Sequence, residues 1–370
     1  MGLVRFRHFD VTPRDRARSI RPEDITLRCD QPLEVSLAAT IRHNALAVRY
    51  RGPKLMRLVT RELALAMTLF DRDRVGAPVT RNSAFAECSP HIRRFTTEVV
   101  ALGTLTAAVE RAHGRAGHVA HFDALPSDLQ QLYAGGGRGI RPDLRFAFPG
   151  VVVAGEARGR DAPAPKNTLT TAIQRRRLTE LLTWSRSQRA DQVCMGWTWV
   201  QPTGTTVDFF SFPPPAPAAL SGRARTQVKA ALSAHPAGPG DAPPSPSDRD
   251  AVSTEETNPR AVLLDRVTSE IERQYLQTAP GPVPGLELPW RGEWVDIPSP
   301  YGDALTARML FAVNGAERRT WRTVAARHRW AQTAQERALD IDADGRTLVA
   351  IDWEPRSPQL AGEEVRAALF

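Results

Sequence analysis

The spacing of apolar side chains predicts two long helices in the first third of the chain. Apolar residues recur every three or four positions over Lys54–Asp71 and again over 91–112, as on the buried face of an amphipathic helix. Before these helices, apolar and polar residues alternate over 33–37, and smaller and larger apolar residues alternate over 45–48, which predicts short strands at both places. The rest of 1–50 is expected to be irregular.

Strands dominate the middle of the chain, with one helix among them. The predicted strands are 117–124, Arg141–Phe148, Val151–Arg158, Val193–Val200 and Thr205–Phe212. Pro149–Gly150, a strong turn pair, separates the second of these strands from the third. An amphipathic helix is predicted over 168–189, with Asn167 or Thr168 as its N-cap.

Composition divides the chain into four segments. Residues 1–90 are predicted to be N-terminal additions to a central domain at 91–212, followed by a linker at 213–260 and a smaller α+β domain at 261–370. The linker is rich in proline and is expected to be largely disordered. The last domain opens with a predicted helix, Ala261–Leu276, and contains a predicted hairpin that turns at Asp344–Gly345. Its five tryptophans are expected to be buried rather than to stack on bases.

The overall charge favours a polyanionic partner. Forty-nine Lys and Arg against 41 Asp and Glu give a net charge of +8, and the sequence pI is about 10.1. Such an excess suits nucleic acid, because neutralisation of phosphates is the sequence-independent part of that binding. Three scattered cysteines without CxxC spacing disfavour a zinc cluster. The sequence has no apolar run of signal-peptide or membrane-spanning character, so a soluble cytoplasmic protein without a membrane partner is expected.

Two acids on the central hairpin form the main candidate site. If Pro149 and Gly150 make a two-residue loop, Asp143 lies opposite Glu156 on the same face of the sheet, whereas a one-residue bulge would turn Asp143 aside. Strand parity places Arg158 on that face too. Opposed carboxylates destabilise a sheet unless a cation lies between them. The pair therefore indicates a divalent-metal site.

The same residues resemble a known nuclease family. Pro142–Asp143, followed by Glu156–Ala157–Arg158, resembles the PD-(D/E)XK signature of restriction-endonuclease-like nucleases. The resemblance covers about 91–210 and implies an α/β fold with an αβββαβ core. It also implies that Asp143 and Glu156 bind Mg²⁺ or Mn²⁺, with the Ala157 carbonyl as a further ligand. Arg158 stands where the family has a catalytic lysine.

Accessory residues follow from the same resemblance. Gln174 is similar to a glutamine that some members place beside the metal, and an exposed glutamine is the alternative. Glu98 resembles the extra metal-binding acid of the first helix, and an exposed helix carboxylate is the alternative. Lys166 could substitute for the missing lysine. Arg175, Arg176 and Arg177 form a basic face that either contacts phosphates or is simply solvated.

The expected function is Mg²⁺-dependent hydrolysis of phosphodiester bonds by an endonuclease, in restriction, defence or repair of DNA. One alternative is a catalytically inactive protein of the same fold that binds DNA or serves as a scaffold, because arginine cannot replace lysine as a base. RNA is a second alternative substrate. The module at 261–370 is expected to recruit DNA or a protein partner, and the sequence leaves monomer and dimer open.

Overall fold

The computed structural model describes most of the chain, with gaps. The described residues are 2–13, 19–47, 54–71, 76–114, 118–122, 142–148, 151–165, 170–188, 192–213, 259–286, 289–301, 305–315, 339–343, 346–355 and 357–369. Most of the predicted linker, from 214 to 258, lies outside these residues, as do Lys166 and the turn pairs 149–150 and 344–345.

Two β-sheets and the helices packed on them make up the described structure. The strands are β1 (Gly2–Val11), β2 (Ile25–Val35), β3 (His118–His121), β4 (Leu144–Phe148), β5 (Val151–Arg160), β6 (Gln192–Gln201), β7 (Gly204–Ser211), β8 (Trp290–Pro298), β9 (Leu305–Asn314), β10 (Leu339–Ala343) and β11 (Thr347–Asp352). The helices are α1 (Leu37–Ala47), α2 (Leu55–Met67), α3 (Ala84–Glu87), α4 (Pro90–His113), α5 (Ala172–Gln188), α6 (Pro259–Thr278) and α7 (Pro358–Leu369). Among the described residues, no helix is long and apolar enough to cross a membrane.

The larger sheet has seven strands in the order β2-β1-β7-β6-β5-β4-β3. Its pairs are antiparallel except β5 with β6 and β1 with β7, which run parallel. The predicted strands of the middle segment are confirmed, with small shifts of their ends. Helix α5 connects the parallel pair β5 and β6, as a parallel connection requires a crossover. The chain therefore follows the order α4-β3-β4-β5-α5-β6 through the centre of the fold.

The central hairpin has the register that a two-residue loop predicts. Leu144 lies opposite Gly155 and Phe148 lies opposite Val151, so the prediction is confirmed for β4 and β5. β5 lies between β4 and β6, and its residues from Val152 to Ala157 are buried. This agrees with its apolar residues on both faces, a pattern typical of an inner strand.

Helix α4 packs closely on one face of the sheet because glycine lines its path. A side-chain carbon on Gly159 would overlap the Thr97 carbonyl of α4, and one on Gly155 would come within 2.9 Å of the Leu105 Cδ2 atom. Gly196, on β6, also faces Leu105. The absence of side chains at these three positions lets the helix backbone approach the strands, which fixes α4 against the inner part of the sheet.

Helix α5 covers the other face, and its first turn is capped from its own sequence. Gln174 N donates to the Thr171 hydroxyl at 3.1 Å, while Thr171 N donates to Gln174 Oε1 at 2.8 Å. This reciprocal pair is a capping box. The N-cap is therefore Thr171; the predicted caps, Asn167 and Thr168, lie outside the described residues.

The N-terminal segment differs from its prediction. β1 and β2 form a long antiparallel pair that extends the larger sheet beyond β7, where mostly irregular structure was expected. The predicted strand at 45–48 is wrong, because Ala45–Ala47 belongs to α1. The residues at 45–48 are all apolar, a composition that suits a buried helix as well as a strand, and α1 packs on α4 and β11.

The C-terminal segment forms the second sheet, which is antiparallel in the order β10-β11-β9-β8. The hairpin predicted around 344–345 is confirmed by the pairing of Leu339 with Asp352 and of Ala343 with Leu348. This sheet docks on α1: the buried carboxylate of Asp340 accepts from Ala38 N at 3.0 Å and from the Ser36 hydroxyl. Trp290 and Trp353 are buried, as expected, whereas Trp294 is only partly buried and Trp321 and Trp330 lie outside the described residues.

Because α4 lies so close to β5, a single methyl group added at Gly159 is predicted to destabilise the fold. Gly159→Ala is expected to lower the free energy of unfolding by about 1–3 kcal/mol, because the Thr97 carbonyl is backbone and must move. Gly281→Ala is the matched control, since no atom lies within 4 Å of its added carbon. Urea unfolding measures both variants, and equal midpoints for the two would contradict the packing described for α4.

Candidate functional site

The hairpin brings Asp143 and Glu156 to the same place. Asp143 directly precedes β4, and its backbone N donates to the Gly155 carbonyl at 2.8 Å. Its side-chain Oδ2 accepts from Ala157 N at 2.8 Å, which fixes the carboxylate against the residue next to Glu156. Glu156 itself lies on β5 and is 0% exposed. The two predicted acids are therefore neighbours at one end of a buried strand.

The positive charges around Glu156 do not fully compensate the negative charge of its carboxylate. Its pKa is raised from 4.5 to about 8, first because burial removes water from the charged form and second because Asp143 repels it. The guanidinium groups of Arg158 and Arg177 act in the opposite direction and favour the charged form. Their charge is insufficient to offset burial and the second acid.

Arg158 is the direct ionic partner of Glu156. Its Nη2 forms an ion pair with Glu156 Oε1, and the arginine side chain is 26% exposed. Within the described part of the chain, Glu156 Oε2 has no hydrogen-bond partner. A buried acceptor without a partner is costly, so a ligand that bonds to this oxygen would stabilise the site.

The residues present fit a divalent cation with few protein ligands. Mg²⁺ is usually held by one or two carboxylates, with water or substrate phosphate completing its shell. Asp143 and Glu156 supply two carboxylates, and the buried Glu156 Oε2 has no hydrogen-bond partner among the described residues. The described residues contain no group of three or more His, Cys, Asp or Glu side chains placed to hold a metal. These residues therefore do not form a metal site in which protein side chains supply all the ligands.

Glu98 does not join the two acids. It is half exposed on α4, and its Oε1 accepts from Arg94 Nε at 2.9 Å, one helical turn away. The expectation of Glu98 as a third metal ligand is corrected, because the described residues contain no three-acid group. Exposure and the pairing with Arg94 agree with the alternative, an exposed helix carboxylate.

Gln174 is buried and has partners of its own. Its Nε2 donates to Asp208 Oδ2 at 3.0 Å, and its Oε1 takes part in the cap of α5. The alternative of an exposed glutamine is therefore wrong. Both ends of its amide bond to residues other than Glu156, and these bonds hold the first turn of α5 on the sheet.

A buried polar network beneath α5 was not predicted. Asp208 on β7 forms an ion pair with Arg7 on β1 at 2.5 Å and accepts from Trp199 Nε1 at 3.0 Å. Arg7 also donates to the Pro165 carbonyl at 2.9 Å. Burial raises the pKa of Asp208, and Arg7 opposes that shift. A signal was present in the sequence: charged residues interrupt the apolar runs Phe6–Phe9 and Val207–Phe210.

The three consecutive arginines of α5 have different surroundings. Arg175 donates to the Thr170 carbonyl at the start of the helix. Arg176 is 69% exposed, and its Nε lies 4.0 Å from Glu180. Arg177 pairs with Glu180 at 2.9 Å, and its charge also favours ionisation of Glu156. Arg177 is therefore the one of the three whose charge acts on the acidic pair.

Comparison with known proteins adds no relative. No protein-family model, no curated protein and no solved structure matches the chain. Any statement about function therefore depends on the residues and contacts described above.

The raised pKa of Glu156 predicts how stability changes with pH in the absence of metal. The folded state keeps a proton that the unfolded state releases, so the free energy of unfolding falls as pH rises from 4.5 to about 8. Below pH 4.5 and above about pH 8, the contribution of Glu156 to the free energy of unfolding does not change with pH. The slope is roughly 1 kcal/mol per pH unit. Glu156→Gln removes this dependence on pH. The free energy of unfolding of the variant therefore increases relative to that of the wild type as pH rises.

Chemical denaturation in a chelating buffer across this pH range measures the effect. The matched control is Glu34→Gln, an exposed carboxylate on β2 at the far edge of the same sheet. Its stability should parallel that of the wild type. Parallel curves for wild type and Glu156→Gln would show that Glu156 titrates normally.

Proposed function

We propose that the protein is a divalent-metal-dependent nuclease that hydrolyses phosphodiester bonds in DNA. The observation that carries the proposal is the neighbouring pair of Asp143 and the buried Glu156, with one Glu156 oxygen lacking a hydrogen-bond partner in the described structure and Arg158 alongside. Two adjacent carboxylates with a nearby arginine suit a cation and a phosphate at once, because the acids hold the metal and the guanidinium holds the anion.

The order of elements around this pair supports the proposal. Helix α4, the three antiparallel strands β3, β4 and β5, the crossover helix α5 and the parallel strand β6 follow one another in the chain. The αβββαβ core expected from the resemblance to PD-(D/E)XK nucleases has the same order. In this chain Asp143 directly precedes the second of the three antiparallel strands, and Glu156 lies on the third.

Each residue of the site has a separate task in the proposed reaction. Asp143 and Glu156 would hold Mg²⁺ or Mn²⁺, and Ala157 N orients Asp143 by its hydrogen bond. A bound cation of this kind supplies Lewis-acid stabilisation of phosphate charge and activation of a water molecule. Arg158 stays protonated and therefore stabilises the charge that develops on the phosphate, without acting as a base.

The substrate is proposed to be DNA because of charge and exposure around the site. The chain carries a net charge of +8, and Arg158 and Arg177 are partly exposed beside the acids. Arginine suits phosphate because its planar donors can bind two oxygens together. The same features suit RNA, so an RNA competitor belongs in every cleavage experiment.

A second candidate function is supported by the Arg158–Glu156 ion pair. Arg158 supplies a positive charge to Glu156 where the related motif has lysine, so the pair is partly neutralised without a metal. A protein that is neutralised in this way would bind DNA or a protein partner and would not cleave phosphodiester bonds. Cleavage decides between the two candidates.

The proposed nuclease predicts loss of cleavage when either acid is neutralised. Purified wild type is expected to nick or linearise plasmid DNA with Mg²⁺ or Mn²⁺ and to do nothing in EDTA. Asp143→Asn and Glu156→Gln should each lower the rate by at least about 100-fold, because each removes a metal ligand. Gel electrophoresis of plasmid with and without competing RNA measures both rate and substrate class.

Controls separate loss of chemistry from loss of fold. Glu34→Gln should cleave like the wild type, since its side chain is exposed on β2, four strands away from β5. Arg158→Lys should retain cleavage, whereas Arg158→Ala should lose about 100-fold or more, because it removes the charge that stabilises the phosphate. Activity that survives both acid substitutions would refute the nuclease; a folded wild type without metal-dependent cleavage would favour the binding-only candidate.

A further inference from the structure

Arg160 is a positively charged side chain for which the proposed reaction has no task. It ends β5, two residues beyond Arg158, and so lies on the same face of the strand as Glu156 and Arg158. Its Nη1 donates to the Gly159 carbonyl at 2.7 Å, and its Cζ lies 5.1 Å from the centre of the Trp197 ring. No ion pair joins it to an acid of the described segments.

Other arginines surround Arg160. Burial lowers the pKa of Arg160, and the charges of Arg158, Arg94 and Arg177 lower it further. These residues come from β5, α4 and α5, and the Arg93–Asp161 ion pair at 3.3 Å joins the start of α4 to the end of β5. Glu98 offsets part of this charge, but Glu98 is also bonded to Arg94. The result is an excess of positive charge at the exposed end of β5.

Beneath Arg160 lies a buried donor without an acceptor. Trp197 is 2% exposed, and its Nε1 has no hydrogen-bond partner among the residues that the structure describes. The neighbouring Trp199, whose ring centre is 6.0 Å away, donates to Asp208 instead. Trp197 lies opposite Arg158 in the ladder, and Arg158 Nε is likewise without an acceptor there. Indole and guanidinium groups can only donate, so the ligand that satisfies them must accept.

We propose that Arg160 and the Trp197 Nε1–H form an anion site that binds a backbone phosphate of the nucleic acid, next to the phosphate that is hydrolysed. Both groups adjoin Arg158 on one sheet face, and side chains two residues apart on a strand are about 7 Å apart. The chain of the substrate would then run along β5 from Glu156 towards Arg160. The inference rests on the proposed function for the identity of the polymer.

Binding without cleavage tests the anion site. A short fluorescein-labelled DNA duplex is titrated in EDTA over a series of salt concentrations, with the full chain as wild type and as Arg160→Gln. The variant is expected to bind about tenfold more weakly, and the slope of log K against log salt should fall by about 1, because one phosphate contact is lost. Arg28→Gln on β2, where Arg28 is 64% exposed, is the matched control and should change neither quantity.

Trp197→Phe tests the indole donor, because it keeps an aromatic ring under Arg160 and removes the N–H. It is expected to weaken duplex binding about threefold or more while leaving the salt slope unchanged, since no charge is removed. Thermal melts of all variants show whether each is folded.

The outcomes separate the anion site from the nuclease. An unchanged affinity and slope for folded Arg160→Gln would overturn the site, whether or not the wild type cleaves DNA. A changed slope in a protein that cleaves nothing would support the site and refute the nuclease. Inorganic phosphate serves as a competitor: displacement of the duplex only at high phosphate concentration supports a polymer ligand, whereas equal affinity for phosphate and duplex would overturn the backbone assignment.

Discussion

A charged carboxylate within a β-sheet requires compensation, and the burial of Glu156 beside Asp143 is the constraint on which the site depends. Burial shields Glu156 from solvent, a second acid lies next to it, and Arg158 neutralises it only in part. A proton, the arginine or a divalent cation can supply the missing positive charge. The raised pKa means that the proton does so near neutral pH, and a metal would have to displace it.

The remainder of the fold holds this arrangement in place from both faces of the sheet. On one face, three small residues let α4 approach β5 and β6 closely. On the other, Gln174 connects the capped end of α5 to Asp208, which is bound in turn to Arg7 on β1. The N-terminal strand thus contributes to the position of α5, and through α5 to the position of Arg177. A segment expected to be an addition is part of the support for the site.

The hairpin could be predicted from the sequence because its determinants are local. A turn pair fixes the register, and strand parity then places Asp143, Glu156 and Arg158 together. The network of Arg7, Gln174 and Asp208 could not be predicted in this way, because Arg7 and Asp208 are 201 positions apart and Gln174 and Asp208 are 34 apart, and no local pattern encodes their pairing. For the same reason the strand predicted at 45–48 is wrong: the burial of α1 comes from α4 and from the distant strand β11.

The occupant of the acidic pair is the central question, and calorimetry of Mn²⁺ binding answers it most directly. Titration of wild type and Asp143→Asn is performed at pH values below and above the Glu156 pKa of about 8. One saturable site is predicted in the wild type, tighter at the higher pH and lost in Asp143→Asn, because the cation competes with the proton and needs both acids. Absence of saturable binding in the wild type, or binding that Asp143→Asn leaves unchanged, would contradict the metal site.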